Sequence, residues 1–197
     1  VLTLVCATAN PHKAKELDEL LRALGSFTLL PRPLEVGDIV EDGETFEDNA
    51  ILKAQAICAA TGKAALADDS GLSVIALHGQ PGVHSARYAG EDATDADNRT
   101  KLLTAMEGIE DRRATFTAAI AVAFPDEVII VAEGEVHGTI TTSLVGSRGF
   151  GYDPLFIPDE GDGRTFGEMT SDEKHGLSHR RRALESLVEA LRHAGRQ

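Results

Sequence analysis

The chain opens on an apolar run, Leu2 to Ala7, then a short polar loop, then Ala14, Leu17, Leu20, Leu21 and Leu24 at helical spacing. This predicts a buried strand followed by a helix over 11–24, with Asn10 as N-cap, Pro11 at the first helical position and Gly25 as a left-handed C-terminal glycine. A second helix is predicted from near Thr45 to Gly62, with Ala50, Ala54, Ile57 and Cys58 on its apolar side. Ala64-Ala65-Leu66-Ala67 reads as a buried strand ending at Asp68, and Thr94 to Met106 as a third helix. The segments 114–124 and 128–136 are rich in Val, Ile, Ala and Thr, and Pro125-Asp126-Glu127 marks an antiparallel hairpin between them. After a glycine-rich loop at 146–151 come the strand Leu155–Pro158 and a last helix capped at Ser178, with Leu184, Leu187, Val188 and Leu191 toward the core. Strand–helix alternation followed by a hairpin predicts an α/β fold with a mixed sheet, whose strand-end loops gather the polar residues.

Composition narrows the class. With 197 residues, 42% hydrophobic and 26% charged, the chain suits one domain, or two lobes sharing one core. No apolar run approaches the roughly eighteen residues of a membrane helix, and no basic leader precedes an apolar stretch, so neither insertion nor secretion is expected. Cys6 and Cys58 each lie in an apolar stretch and form no CxxC pair, which predicts free thiols in a reducing cytoplasm. In that compartment the sequon Asn98-Arg99-Thr100 is inert. A net charge of −13 disfavours nucleic-acid binding by counterion release, so any phosphate site must be local.

Five clusters carry candidate chemistry. Thr8-Ala9-Asn10-Pro11-His12-Lys13 is a strand-to-helix loop offering backbone amides and one lysine to an anion, without the Walker A pattern; most such caps are purely structural. Asp68-Asp69-Ser70-Gly71 places two acids at a strand end, fit either to hold a divalent cation or to form a solvated turn with Gly71 turning the chain. Glu41-Asp42-Gly43-Glu44, with Glu47 and Asp48, precedes Lys53, a lysine on an otherwise buried helix that requires an anionic partner. In Ser147-Arg148-Gly149-Phe150-Gly151-Tyr152-Asp153-Pro154, glycines flank Phe150 and could leave its ring free to face a ligand, or the ring could anchor the core. Lys174 with Ser178-His179-Arg180 sets basic residues at a helix start, where they oppose the dipole and invite an anionic or acceptor-rich ligand.

In this order, TxNxxK at 8–13, TFEDNAxxKA at 45–54, ADDSGL at 67–72, PGVHSARYAG at 81–90, GFGYDPLF at 149–156 and SHR at 178–180 resemble the Ham1-like nucleoside-triphosphate pyrophosphatases across nearly the whole chain. The resemblance implies a single domain over 1–197, with the two-lobed mixed-sheet fold of the Ham1/Maf-like proteins around a central cleft. It also implies a homodimer, Mg²⁺ dependence, and cleavage of ITP, dITP and XTP to the monophosphate and pyrophosphate. Carried over by motif, Lys13 and Lys53 meet the triphosphate beside Thr8, Ala9, Asn10, Pro11 and His12. Asp69 is metal ligand and general base, Asp68 assists, Glu41 or Glu44 completes the metal site, and Ser70 contacts substrate. Phe150 stacks on the purine near Gly151 and Tyr152, while Asp153, Lys174, His179 and Arg180 surround its edge. Two alternatives stand beside this reading: a Maf-like pyrophosphatase acting on other nucleotides, and a nucleotide sensor without turnover.

Overall fold

The computed structural model describes residues 1–25 and 27–196. Its strands are β1 (Leu2–Cys6), β2 (Phe27–Leu30), β3 (Ala65–Val74), β4 (Arg113–Ala123), β5 (Ile129–Ile140) and β6 (Phe156–Pro158). Its α-helices are α1 (Pro11–Leu24), α2 (Phe46–Thr61), α3 (Asp95–Ala105), α4 (Ser171–Leu177) and α5 (His179–His193). The strands form one sheet in the order β2-β1-β3-β4-β5-β6. β1 pairs in parallel with β2 and β3, and β5 pairs antiparallel with β6, so the sheet is mixed as expected. β4 and β5 are neighbours joined by only the segment 124–128, too short for a parallel crossover, and are therefore antiparallel.

The chain divides into two compact units: Val1–Asp69, Ala118–Gly134 and Arg180–Gln197 in the first, Ser70–Thr117 and Glu135–His179 in the second. In the first unit, alternation along the strands builds two apolar layers. Leu4, Leu66, Ala118, Ile120 and Val122 pack with Leu17, Leu20 and Leu21 of α1 and Leu184, Leu187 and Leu191 of α5. Val5, Ala65, Ala67, Ala119 and Ala121 pack with Ala50, Ala54, Ile57 and Cys58 of α2. Successive residues of a strand face opposite sides, so these strands are apolar on both faces. The second unit has its own core of Leu72, Val74, Leu102, Met106, Phe116, Val136, Tyr152, Phe156 and Phe166.

Helix limits follow their caps. Asn10 Oδ1 accepts from the amides of His12 and Lys13, at 2.9 and 3.2 Å. Thr45 and Asp48, Thr94 and Asp97, and Thr170 and Glu173 form capping boxes. Gly62 closes α2 in the left-handed conformation, whereas Gly25, expected to do the same for α1, sits at φ 123°, ψ −128°. The Asp68–Gly71 segment is no turn: β3 runs through it to Val74, because its acids find buried partners that override the poor strand propensity of Asp and Gly. Sequence periodicity missed β2 and α4, and ended β5 at Val136 instead of Ile140. Both cysteines are buried and unpaired, and no helix among the described residues is long and apolar enough to cross a membrane. Asn98 of the sequon is buried, its amide bonded to the Ala89 N–H and the Ala86 carbonyl, so it is unavailable to any modifying enzyme.

Candidate active site

In the first unit, β1 ends at Cys6 and delivers Thr8, buried, into the loop before α1. Thr8 Oγ1 accepts from the Asn10 amide at 3.3 Å, and the Asn10 side chain takes the amides of His12 and Lys13. Pro11 has no N–H. Three amides expected to face an anion are therefore spent on building the loop, which leaves the Lys13 ammonium as its principal cationic offering. That ammonium lies 3.2 Å from Asp68 Oδ1. Ala9, Pro11 and His12 are exposed along the loop.

Asp68 and Asp69 are adjacent in β3 and face opposite sides of it. Asp68, fully buried on the side of α1 and α5, receives Lys13 and, at 2.9 Å, Arg180 Nε. Arg180 Nη1 also bonds Glu16 closely. Burial raises the proton affinity of Asp68, but Arg180 and Lys13 outweigh it and hold the carboxyl far below the usual range. Asp69, on the side of α2, lies 2.8 Å from Lys53 Nζ, which also meets Glu41 Oε2 at 2.9 Å. Here burial prevails over Lys53 and Lys13, and the Asp69 carboxyl is pushed up. Glu41, hydrogen-bonded to Asp69, moves oppositely: burial raises it, but the charge and hydrogen bond of Lys53 lower it further. Two neighbouring acids thus have opposed proton affinities.

Glu41 reaches this site, while Glu44 stands exposed. Two residues with no expected role hold the loop between β2 and α2. Asn49, 1% exposed, accepts the Gly43 amide at 2.9 Å and directs its own amide toward Asp69 Oδ2 at 3.5 Å. A side chain at Gly43 would collide with Asp48 and Asn49, its Cβ falling 2.6 and 2.7 Å from them. Arg32 donates to the carbonyls of Ala7, Val36 and Gly37 at 3.2, 2.9 and 2.7 Å, tying the start of the loop after β2 to the end of β1. Asn49 stands four residues before Lys53 on one helix face, a readable signal; Arg32 gives none. Among the described residues no group of three His, Cys, Asp or Glu side chains is arranged to hold a metal ion. The hydrogen-bonded carboxyls of Glu41 and Asp69 nonetheless supply two converging hard oxygen donors.

The second unit carries the aromatic set. The Phe150 amide donates to Asp153 Oδ2 at 2.9 Å, and the same oxygen takes Lys174 Nζ at 2.8 Å. Both charged residues are buried, and the Lys174 ammonium stands 4.8 Å from the Phe150 ring centre. Gly149 has φ +72°, and a Cβ there would fall 2.0 Å from Asp153 Oδ2, so no other residue fits. Gly151 gives its N–H to Asp95 and its carbonyl to Arg99. The Tyr152 hydroxyl donates to the Ser85 carbonyl at 2.8 Å, and burial pushes this phenol well above its ordinary range, so it stays a donor. His179 stacks on Phe116 with ring centres 4.8 Å apart and 8° between planes. Ser70 is half-buried in β3. The basic cluster expected to call for an anionic ligand thus finds partners inside the protein: Lys174 on Asp153, His179 on Phe116, Arg180 on Asp68 and Glu16.

Fold and side chains together define an α/β protein that sets lysines of two helices against a buried acid pair within a central strand. The chain belongs to the Ham1 family, whose profile matches residues 4–190. It is 46% identical to the dITP/XTP pyrophosphatase of Bacillus subtilis over 95% of this chain and 96% of that protein. It is 48% identical to the one from Syntrophobacter fumaroxidans, over 93% of this chain and 79% of the relative. Among solved structures, the HAM1 protein of Coxiella burnetii superposes with TM-score 0.87 at 41% identity, covering 98% of this chain and all of the other. The Staphylococcus aureus Ham1 protein gives 0.85 at 37% identity, covering 98% and 99%.

Proposed function

We propose that this protein hydrolyses the purine triphosphates ITP, dITP and XTP between the α and β phosphates, releasing the monophosphate and pyrophosphate. The observation that carries the reading is the split of the acid pair in β3: Asp68 locked between Lys13 and Arg180, Asp69 placed with Lys53 and Glu41. Hydrolysis of a phosphoanhydride asks mainly for positioning and charge neutralisation. Lys13 and Lys53, balanced by carboxylates in the free protein, turn toward the phosphates and stabilise charge on the departing pyrophosphate. Asp69 orients the attacking water and accepts its proton. Asp68 is too firmly ionised for that task; it fixes Lys13 and Arg180 instead. Asp69 and Glu41 are the residues that would hold Mg²⁺, and the ion would supply positive charge to offset that of the triphosphate.

Phe150 offers its ring to the purine, with Asp153, Lys174 and His179 reading the base edge. A 6-oxo group accepts from such donors, whereas the 6-amino group of adenine opposes them. Arg180 was expected at the same edge; its bonds to Asp68 and Glu16 favour a part in holding the acid pair. The homodimer implied by the resemblance is carried in the proposal, and sedimentation at micromolar concentration checks it.

Pyrophosphate release measured over all common NTPs together with ITP, dITP and XTP, with Mg²⁺ and with chelator, tests the reading. Rapid turnover of the three non-standard purines in Mg²⁺ is expected. Preference for pyrimidine nucleotides would make it a Maf-like enzyme, and binding without turnover a sensor.

A further inference from the structure

Phe150 stands between two glycines at φ +72° and +56°, a backbone with little intrinsic stiffness. Fixing such a loop costs about 1–2 kcal/mol of entropy per residue, so a ring that is to serve as a platform needs its backbone held from outside. The structure provides that hold from α3. Gly151 N–H donates to Asp95 Oδ2 at 2.7 Å, and Arg99 Nη1 donates to the Gly151 carbonyl at 2.8 Å. Asp95 and Arg99 are four residues apart on one helix, one turn along the same face. They grip both polar groups of a single residue, the one that follows Phe150. On its other side, the Phe150 amide is held by Asp153. α3 is itself anchored: Asn98 bonds Ala86 and Ala89, and Leu102 is fully buried.

We infer that Asp95 and Arg99 are positioning residues that clamp Gly151 and so fix the Phe150 ring in the orientation that receives the base. The inference rests on the reading of Phe150 as the purine platform. A loop that must be ordered at each binding event weakens affinity and leaves the chemical step alone, so the signature is a rise in KM at constant kcat.

The chain contains no tryptophan, so Phe150→Trp places a single indole on the loop. In that background, Asp95→Ala and Arg99→Met should lower the nanosecond anisotropy of the indole fluorescence, and Asp95→Asn, which keeps an acceptor, should restore it. In the otherwise native chain, Asp95→Ala should raise KM for ITP about tenfold with kcat within about twofold. Added to Phe150→Ala, the same change should do nothing further to KM, whereas a general loss of structure would add. Unchanged anisotropy overturns the clamp, as does an unchanged KM in Asp95→Ala when Phe150→Ala raises it. If Phe150→Ala itself leaves KM for ITP unmoved, the platform reading fails, and anisotropy still judges the clamp separately.

Discussion

The acid–lysine network of the first unit and the aromatic loop of the second are both polar sites inside well-packed protein, yet they are ordered by opposite means. In the first, charges order one another: Lys13 and Arg180 on Asp68, Lys53 on Asp69 and Glu41. In the second, one ion pair, Lys174 with Asp153, is embedded among rings, and the backbone around Phe150 is fixed by hydrogen bonds from side chains. A charge network can exchange a partner for a phosphate at little net loss, because one strong electrostatic contact replaces another. A tethered ring cannot rearrange so readily, and it selects by shape and by matched donors. Under the proposed function, turnover belongs to the first region and base selection to the second.

The strongest way to break that assignment is Asp69→Asn, which removes one charge at constant volume. Turnover of ITP should fall on the order of a hundredfold or more with thermal unfolding nearly unchanged. Retention of a tenth of the native kcat in saturating Mg²⁺ would move the base elsewhere.

Arg180→Met comes next, because it takes a guanidinium from a carboxylate with no solvent exposure. Loss of one partner from such a pair costs about 3 kcal/mol, or a fall of about 10 °C in Tm. Activities on ITP and ATP should fall in the same proportion. A selective loss on ITP would return Arg180 to the purine edge.

In the second region Lys174→Met should do the reverse, narrowing the ITP to ATP ratio of kcat/KM by about tenfold with a smaller change in kcat. An unaltered ratio would show that the base is read by other groups. Arg32→Met should cost only a few-fold in kcat/KM, about the net worth of one hydrogen bond, through a looser loop at 33–44. Proteolysis within 33–44 should quicken in parallel; equal cleavage rates would dismiss Arg32 as a strap.

The smallest effect concerns the footing of α4, which carries Lys174. Hydrogen bonds from Arg164 and from Thr170 hold the Glu173 carboxyl down at about 2. Its folded value is depressed, so its contribution is complete above the ordinary carboxylate value and is lost as pH falls toward about 2. Carboxyl carbon shifts followed by NMR should place the Glu173 midpoint below that of Glu44, and Arg164→Ala should raise it.

Much of this was legible in the chain. Asn10-Pro11 and Thr45 gave the starts of α1 and α2, Ile57 and Cys58 gave the buried side of α2, and a lysine among them announced the need for an anionic partner, a place that Glu41 and Asp69 take. What escaped depends on contacts distant in sequence. β2 is four residues whose pairing with β1, not its composition, makes it a strand. Gly71 has the look of a turn residue, and only the burial of its acidic neighbours explains why the strand continues. Glu16, Arg32 and Arg99 look like ordinary surface charges until folding brings them to Arg180, Ala7 and Gly151.

The placement of Asp68 and Asp69 on one strand makes their difference a matter of parity. Their roles are set by whether each occupies an even or an odd place in β3, since that decides which helices it meets. Deleting one residue between Leu66 and Asp68 would shorten the chain by a fraction of a per cent and leave both acids present. It would nonetheless hand each the other's companions, giving Asp69 the place beside Lys13 and Arg180 and Asp68 a place where Lys53 must be shared with Glu41. Point substitutions along this strand can be graded; insertions and deletions cannot.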